Sequence, residues 1–216
     1  NSWPGIIVFL VIYFTTVASF PSDWFEKTQY RLPNNTKPIS YKIHIKTAVP
    51  VDTKNFTGTV TVTINVINDT EQIVLHAYNL EINKISLVDQ ENNLEVKDVK
   101  HVYNSENQFL TIFSNTLLKK GNIYVLTIAY NGIHDTKSRG FFTSSYVDLD
   151  AKFYLNLYLL YYRVMATTNF EPTYARNAFP CYDEPAFKAK FTIILTHNKL
   201  YTALSNMPQD GELIQE

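Results

Sequence analysis

The sequence predicts an all-β domain, read as an antiparallel sandwich or open barrel, and three observations carry that reading. Val60, Val62, Ile64 and Val66 alternate with Thr59, Thr61, Thr63 and Asn65, the period-2 pattern of a strand with one buried face. Short runs of this kind recur every ten to fifteen residues or so, with turn residues between them, which is the rhythm of a sandwich or barrel. Tyr (15) and Phe (14) are abundant and Gly (6) is scarce. With many Thr, Ile and Val beside them, they favour pleated surfaces over helices.

The elements follow in order. Residues 22–35 read as an extended lead-in ending in a Pro33-Asn34-Asn35 turn. Tyr41, Ile43 and Ile45 alternate with Ser40, Lys42 and His44, and the 59–66 strand comes next. Further strands are expected at 72–77, 82–89, 95–103, 108–113 and 123–130, separated by Asn-, Asp- and Gly-bearing turns. No part of residues 39–130 sustains a 3.6-residue period. Residues 131–139 read as a polar loop, and Gly140-Phe141-Phe142 opens a hairpin. Residues 152–164 are, after the opening Lys152, almost unbroken aromatic and aliphatic side chains, interrupted only by Asn156 and Arg163. Such a run is an edge-pairing hazard if exposed; a real hairpin and an error in the gene model both fit it. Residues 172–179 read as one or two helical turns with Pro172 at the first position and Pro180 ending them. Residues 189–197 and 201–204 close the series as strands, with Phe191, Ile193 and Leu195 on one face.

The beginning of the chain stands apart from this domain. Residues 6–14 are an unbroken apolar run followed by Thr15-Thr16-Val17-Ala18-Ser19. That is short for a membrane span and fits the helix of a signal peptide, with Val17 and Ser19 at the −3 and −1 positions of a cleavage site. A buried strand and a signal-anchor are the alternatives. The run starts at Asn1 with no Lys or Arg ahead of it, consistent with an incomplete 5′ end. The expected organisation is a signal peptide at 1–19 and one β domain at 20–216. Three N-x-[ST] sequons begin at Asn34, Asn55 and Asn68. Together behind an apolar leader they point to the secretory pathway and an extracellular or cell-surface location, with glycans at those three residues.

Composition bounds the partners. The 216 residues are 45% hydrophobic with net charge −1, enough for one domain with its own core. No basic patch argues for nucleic acid. The single cysteine, Cys181, rules out an internal disulfide and reads as a small buried hydrophobe in a tight corner. The five histidines, His44, His76, His101, His134 and His197, show no pair at i and i+4 and none precedes Glu. They therefore lack the spacing that lets two imidazoles meet one zinc on a helix, and they read as structural or surface residues.

The densest signal is Ala166-Thr-Thr-Asn-Phe-Glu-Pro-Thr-Tyr-Ala-Arg-Asn-Ala-Phe-Pro-Cys-Tyr-Asp-Glu-Pro185. It resembles the A-T-T-Q-F-E-P-x-x-A-R-x-A-F-P-C-F-D-E-P segment in the N-terminal domains of aminopeptidase N-like zinc peptidases. Asn169 stands at the family's Gln and Tyr182 at a Phe. The resemblance spans roughly residues 31–208, including the G-F-Y-like Gly140-Phe141-Phe142 and the closing Leu204-Ser205-Asn206-Met207-Pro208. It implies a saddle-shaped β domain that precedes a catalytic domain. The family's hairpin at 152–164 is shorter and more polar.

The same resemblance implies the site. The family's metal segment H-E-x-x-H and its G-x-M-E-N segment are both absent from this sequence, and in the family they lie in the next domain. The chain alone is expected to be inactive and to hold no metal, the zinc belonging to the full-length enzyme. What the family places on this domain is substrate contact: the Gln of T-Q-F-E-P lines the first side-chain pocket, and the Glu reaches the peptide's free α-amine. Those positions are Asn169 and Glu171. An ammonium calls for a carboxylate partner, and a loop after a rigid strand can aim one. The bland alternative for Glu171 is an ion pair with Arg176. Asp183 and Glu184 are adjacent on an extended chain and point apart, so they read as structural, one of them paired to Arg176.

Two functions fit. In the first, this is the N-terminal domain of a zinc aminopeptidase acting on peptides, with any membrane anchor outside this chain. In the second, it is a non-catalytic secreted β-sandwich that binds peptides or a partner. Reading the transcript past residue 216 for G-x-M-E-N and H-E-x-x-H separates them.

Overall fold

The computed structural model describes residues 30–147 and 162–211. The expected leader and most of the 152–164 run lie outside the described residues. Eleven strands are described: β1 Thr36–Thr47, β2 Asn55–Val66, β3 Thr70–His76, β4 Leu80–Asp89, β5 Leu94–Glu95, β6 Lys100–Asn104, β7 Phe109–Leu118, β8 Ile123–Ile133, β9 Gly140–Val147, β10 Tyr162–Asn169 and β11 Lys190–Thr196. They form a six-stranded sheet in the order β11-β1-β2-β8-β4-β5, a three-stranded sheet β3-β7-β6 and the hairpin β9-β10. The domain is all-β, as its alternating pattern predicts.

The pattern sets the register. Ile43 pairs with Val60, Val60 with Ile128 and Ile128 with Ile85 across four strands. The next row is Tyr41, Val62, Leu126 and Leu87. A one-residue slip would turn these rows to the opposite face, so burial fixes the pairing. β3 and β7 add Ile73, Leu75, Leu110 and Ile112 to the same buried cluster. Extra residues are absorbed by irregularities between Pro38 and Ser40 in β1 and between Ile82 and Lys84 in β4.

Four sequence expectations are corrected. The strand expected at 95–103 is two: β5 pairs with β4 in the large sheet, and β6 pairs with β7 in the small one. Between them Asp98 adopts φ 56°, a left-handed turn that redirects the chain. The last strand, β11, runs parallel to β1, with Tyr41 opposite Phe191, so the large sheet is mixed. The expected strand at 201–204 does not form; after β11 the chain runs on as turn and irregular backbone. The helical expectation at 172–179 shrinks to one 3-10 turn at Ala175–Asn177.

The 166–185 segment is built into this frame. Cys181 and His76 exchange both backbone hydrogen bonds, at 2.8 and 3.0 Å, so the segment continues the small sheet at the edge of β3. Ala178, Phe179, Cys181 and Tyr182 join the core.

Candidate substrate-amine site

The site is a turn held by buried neighbours. β10 ends at Asn169, opposite Gly140 of β9. Tyr174 N–H then donates to the Phe170 carbonyl at 2.8 Å, closing a turn that contains Glu171. Phe170 packs edge-on against the buried Phe179 ring at 5.8 Å, fixing the start of the turn to the core.

Past the turn, the charged side chains are already engaged. Arg176 Nε donates to Asp183 Oδ2 at 2.8 Å, and Arg176 Nη1 donates to Gln108 Oε1 at 3.0 Å. Glu184 accepts from the Leu32 N–H at 2.7 Å and pairs with Arg31 at 3.1 Å. Tyr182 Oη shares a hydrogen bond with Thr36 Oγ1 at 2.8 Å, and Tyr41 Oη accepts from the Tyr182 N–H at 3.1 Å. Asp183 and Glu184 are thus structural, Asp183 being the partner of Arg176.

Glu171 is different. It is exposed, and among the described residues it has no hydrogen bond or ion pair. The alternative partner, Arg176, is occupied by Asp183. Asn169 is exposed too, and its Nδ2 donates to the Ser138 carbonyl at 3.1 Å. That leaves the Asn169 amide oxygen as the group with acceptor capacity to spare.

Sequence reading missed the brace behind this turn. Residues 131–139 read as a polar loop, but β8 runs on to Ile133, and beyond it Asp135 accepts from the Lys137 N–H and from Arg139 Nη2, the latter at 3.1 Å. Arg139 Cζ lies 5.5 Å from the centroid of the Tyr174 ring, within cation–π range. Ser138 adopts φ 57°. The Arg-Gly step before the hairpin was the available signal, but its contact with Tyr174 spans 35 residues and leaves no mark on local pattern.

The other candidate groups are scattered. Burial holds the Cys181 thiol well above its ordinary range, which makes it a poor nucleophile. His134 Nδ1 contacts the Thr53 carbonyl at 3.1 Å, and burial lowers its pKa. His44 Nε2 shares a hydrogen bond with Thr196 Oγ1 at 2.8 Å. Among the described residues no three His, Cys, Asp or Glu side chains gather where they could hold a metal. The described residues therefore offer no set of ligands that fits a zinc ion. Asn34, Asn55 and Asn68 are all exposed. Beside Pro172 lies a cavity of about 240 Å³ lined by Tyr41, Phe179, Tyr182, Phe187 and Phe191.

Comparison with known proteins shows what the chain is similar to. Residues 37–216 match the Peptidase M1 N-terminal domain. The chain is 33% identical over 207 residues to the human thyrotropin-releasing hormone-degrading ectoenzyme, covering 94% of this chain and 18% of that protein. It is 33% identical to rat endoplasmic reticulum aminopeptidase 1 (88% of this chain, 19% of that one). With Arabidopsis thaliana aminopeptidase M1 it shares 34% identity (84% of this chain, 20% of that one). The chain thus spans about a fifth of the length of these curated relatives.

Proposed function

The chain belongs to the Peptidase M1 N-terminal domain family, and from that premise we propose that it forms one wall of the substrate site of a zinc-dependent aminopeptidase. The reaction removes N-terminal residues from peptides. The zinc and the groups that act on the scissile bond would come from the domain that follows this one in the family, so this domain by itself is inactive. Its own contribution is recognition. Glu171 supplies the carboxylate that pairs with the α-ammonium of the substrate, and Asn169 lines the pocket for the first side chain. The relatives' names, an ectoenzyme and an endoplasmic reticulum enzyme among them, favour a secretory route, as do the sequons at Asn34, Asn55 and Asn68.

One observation carries the reading. In a segment where Arg176, Asp183 and Glu184 are all tied into the fold, Glu171 alone is exposed and unpaired among the described residues. Holding an unpaired carboxylate on a braced turn contributes nothing visible to stability. It prepares a partner for a cation that arrives with the substrate.

The test is Glu171→Gln in the full-length polypeptide. A partly desolvated carboxylate–ammonium contact is worth about 2–4 kcal/mol, so kcat/KM for free-amine peptides should fall about 10²-fold. Thermal stability should not change. An unaltered kcat/KM would end the amine-anchor role.

A further inference from the structure

Local rules are broken in a cluster behind the Glu171 turn. Ser138 sits at φ 57° although it is not glycine. Gly140 sits at φ 65°, and a β-carbon there would fall 2.4 Å from Asn177 Cβ and 3.0 Å from the Tyr174 carbonyl oxygen. Arg139, between them, keeps a buried Nε with no hydrogen-bond partner. Unpaired buried donors and left-handed non-glycine residues are unfavourable, and they concentrate where function constrains the chain.

We infer that Arg139, held by Asp135 at 3.1 Å and laid 5.5 Å from the Tyr174 ring centroid, is a positioning residue for Glu171. The chain of contact is short. Asp135 fixes the guanidinium, and the guanidinium fixes the Tyr174 ring. The Tyr174 N–H closes the turn on the Phe170 carbonyl at 2.8 Å, and Glu171 lies inside that turn. On the near side, Asn169 is clipped to Ser138 at 3.1 Å. The loop therefore grips the turn at both ends, and its close approach is what excludes a side chain at residue 140. A planar guanidinium suits this task better than an ammonium, because it can face a ring and a carboxylate at once.

The inference rests on the amine-anchor reading of Glu171, and the experiment separates the two. The full-length polypeptide is assayed for inhibition by L-phenylalaninol and by 3-phenyl-1-propanol, which differ only in the α-amine and hold no bond for the enzyme to cleave. The ratio of their inhibition constants reads amine recognition without the chemical step. Glu171→Gln should collapse that ratio. Arg139→Met should lower it by about tenfold, because a misplaced carboxylate loses most of its contact. In the Glu171→Gln background Arg139→Met should lower it no further. Arg139→Lys should give an intermediate value. Tyr174→Leu removes the ring face and carries the same expectation if Arg139→Met does not fold. If Arg139→Met and Tyr174→Leu leave the ratio unaltered while Glu171→Gln collapses it, the positioning role is wrong and the anchor stands. If Glu171→Gln leaves it unaltered, the anchor fails and the positioning role fails with it.

Discussion

The ring of Tyr130 lies across Gly58, its cross-strand partner in the β2–β8 pair, with Cζ and Oη 2.3 Å from where a β-carbon on residue 58 would sit. Two residues along, the relationship is reversed: Phe56 covers Gly132, with Cζ 2.1 Å from the corresponding point. Each aromatic fills the space its glycine leaves in the sheet. Tyr130 is fully buried, so its ring can shift only by disturbing its packing in the sheet. Gly58→Ala should therefore destabilise the domain by about 1–3 kcal/mol, an overpacking cost, read from urea denaturation. Tyr130→Phe should be neutral or stabilising, because the buried Tyr130 hydroxyl has no hydrogen-bond partner to lose.

Arg176 and Asp183 are both largely buried, and their pair at 2.8 Å ties the end of the 3-10 turn to the corner before Pro185. Arg176→Met leaves the Asp183 carboxylate without its charge partner. It should cost about 3–5 kcal/mol, while Arg176→Met combined with Asp183→Leu should recover much of that loss. A denaturation double-mutant cycle checks this. Additive losses would show that the two side chains act separately.

How much of this was legible in the sequence depends on the range of the interaction. β2 could be read because its burial alternates residue by residue. A pairing of Arg176 with Asp183 or Glu184 could be expected because they lie within eight positions of it, but that Asp183 is the partner could not. Cys181 could be placed in the core because small apolar residues between prolines rarely stay outside. The parallel pairing of Tyr41 with Phe191 could not, since each strand alone has the same local pattern whichever neighbour it takes. The strand expected at 95–103 failed for a related reason. Val96, Val99 and Val102 recur through it among charged residues, and only the backbone of Asp98 reveals that they serve two sheets. At the candidate site the motif named Glu171, but its lack of a partner and the Arg139 brace emerge only once residues 135–140 are folded against Tyr174.

His134 gives the domain an acid limb. It is buried against Phe56 and Phe141, with Thr53 and Thr47 at its ring nitrogens and Asp52 nearby. Burial is the largest influence and lowers its pKa below the ordinary 6.5; the Thr53 contact and Asp52 oppose it more weakly. The folded protein thus resists a proton that the unfolded chain accepts. The stability this supplies is complete above the unfolded pKa and is lost as pH falls through the lower, folded one. Unfolding midpoints between about pH 7.5 and about pH 5 should fall more steeply for wild type than for His134→Asn. Parallel curves would remove His134 as the source.

Asn169 departs from the family's Gln at the position proposed to line the first side-chain pocket. Its side chain is one methylene shorter than the family's Gln, and its Nδ2 is committed to the Ser138 carbonyl at 3.1 Å. A shorter, clipped amide leaves more room for the first side chain of the substrate. In the full-length polypeptide, Asn169→Gln should refill that room. One methylene at a pocket wall discriminates substrates by about 1–3 kcal/mol, so the order of preference among alanyl, leucyl and phenylalanyl amides should shift by tenfold or so, against the larger residues. The α-amine anchor is untouched, so kcat/KM for the smallest substrate should stay near wild type. Loss of the exposed clip to Ser138 should cost the fold only about 0.5–1.5 kcal/mol. A uniform fall across all three substrates would show that Asn169 acts through loop position instead of pocket shape. No change in any of them would take it out of the substrate site.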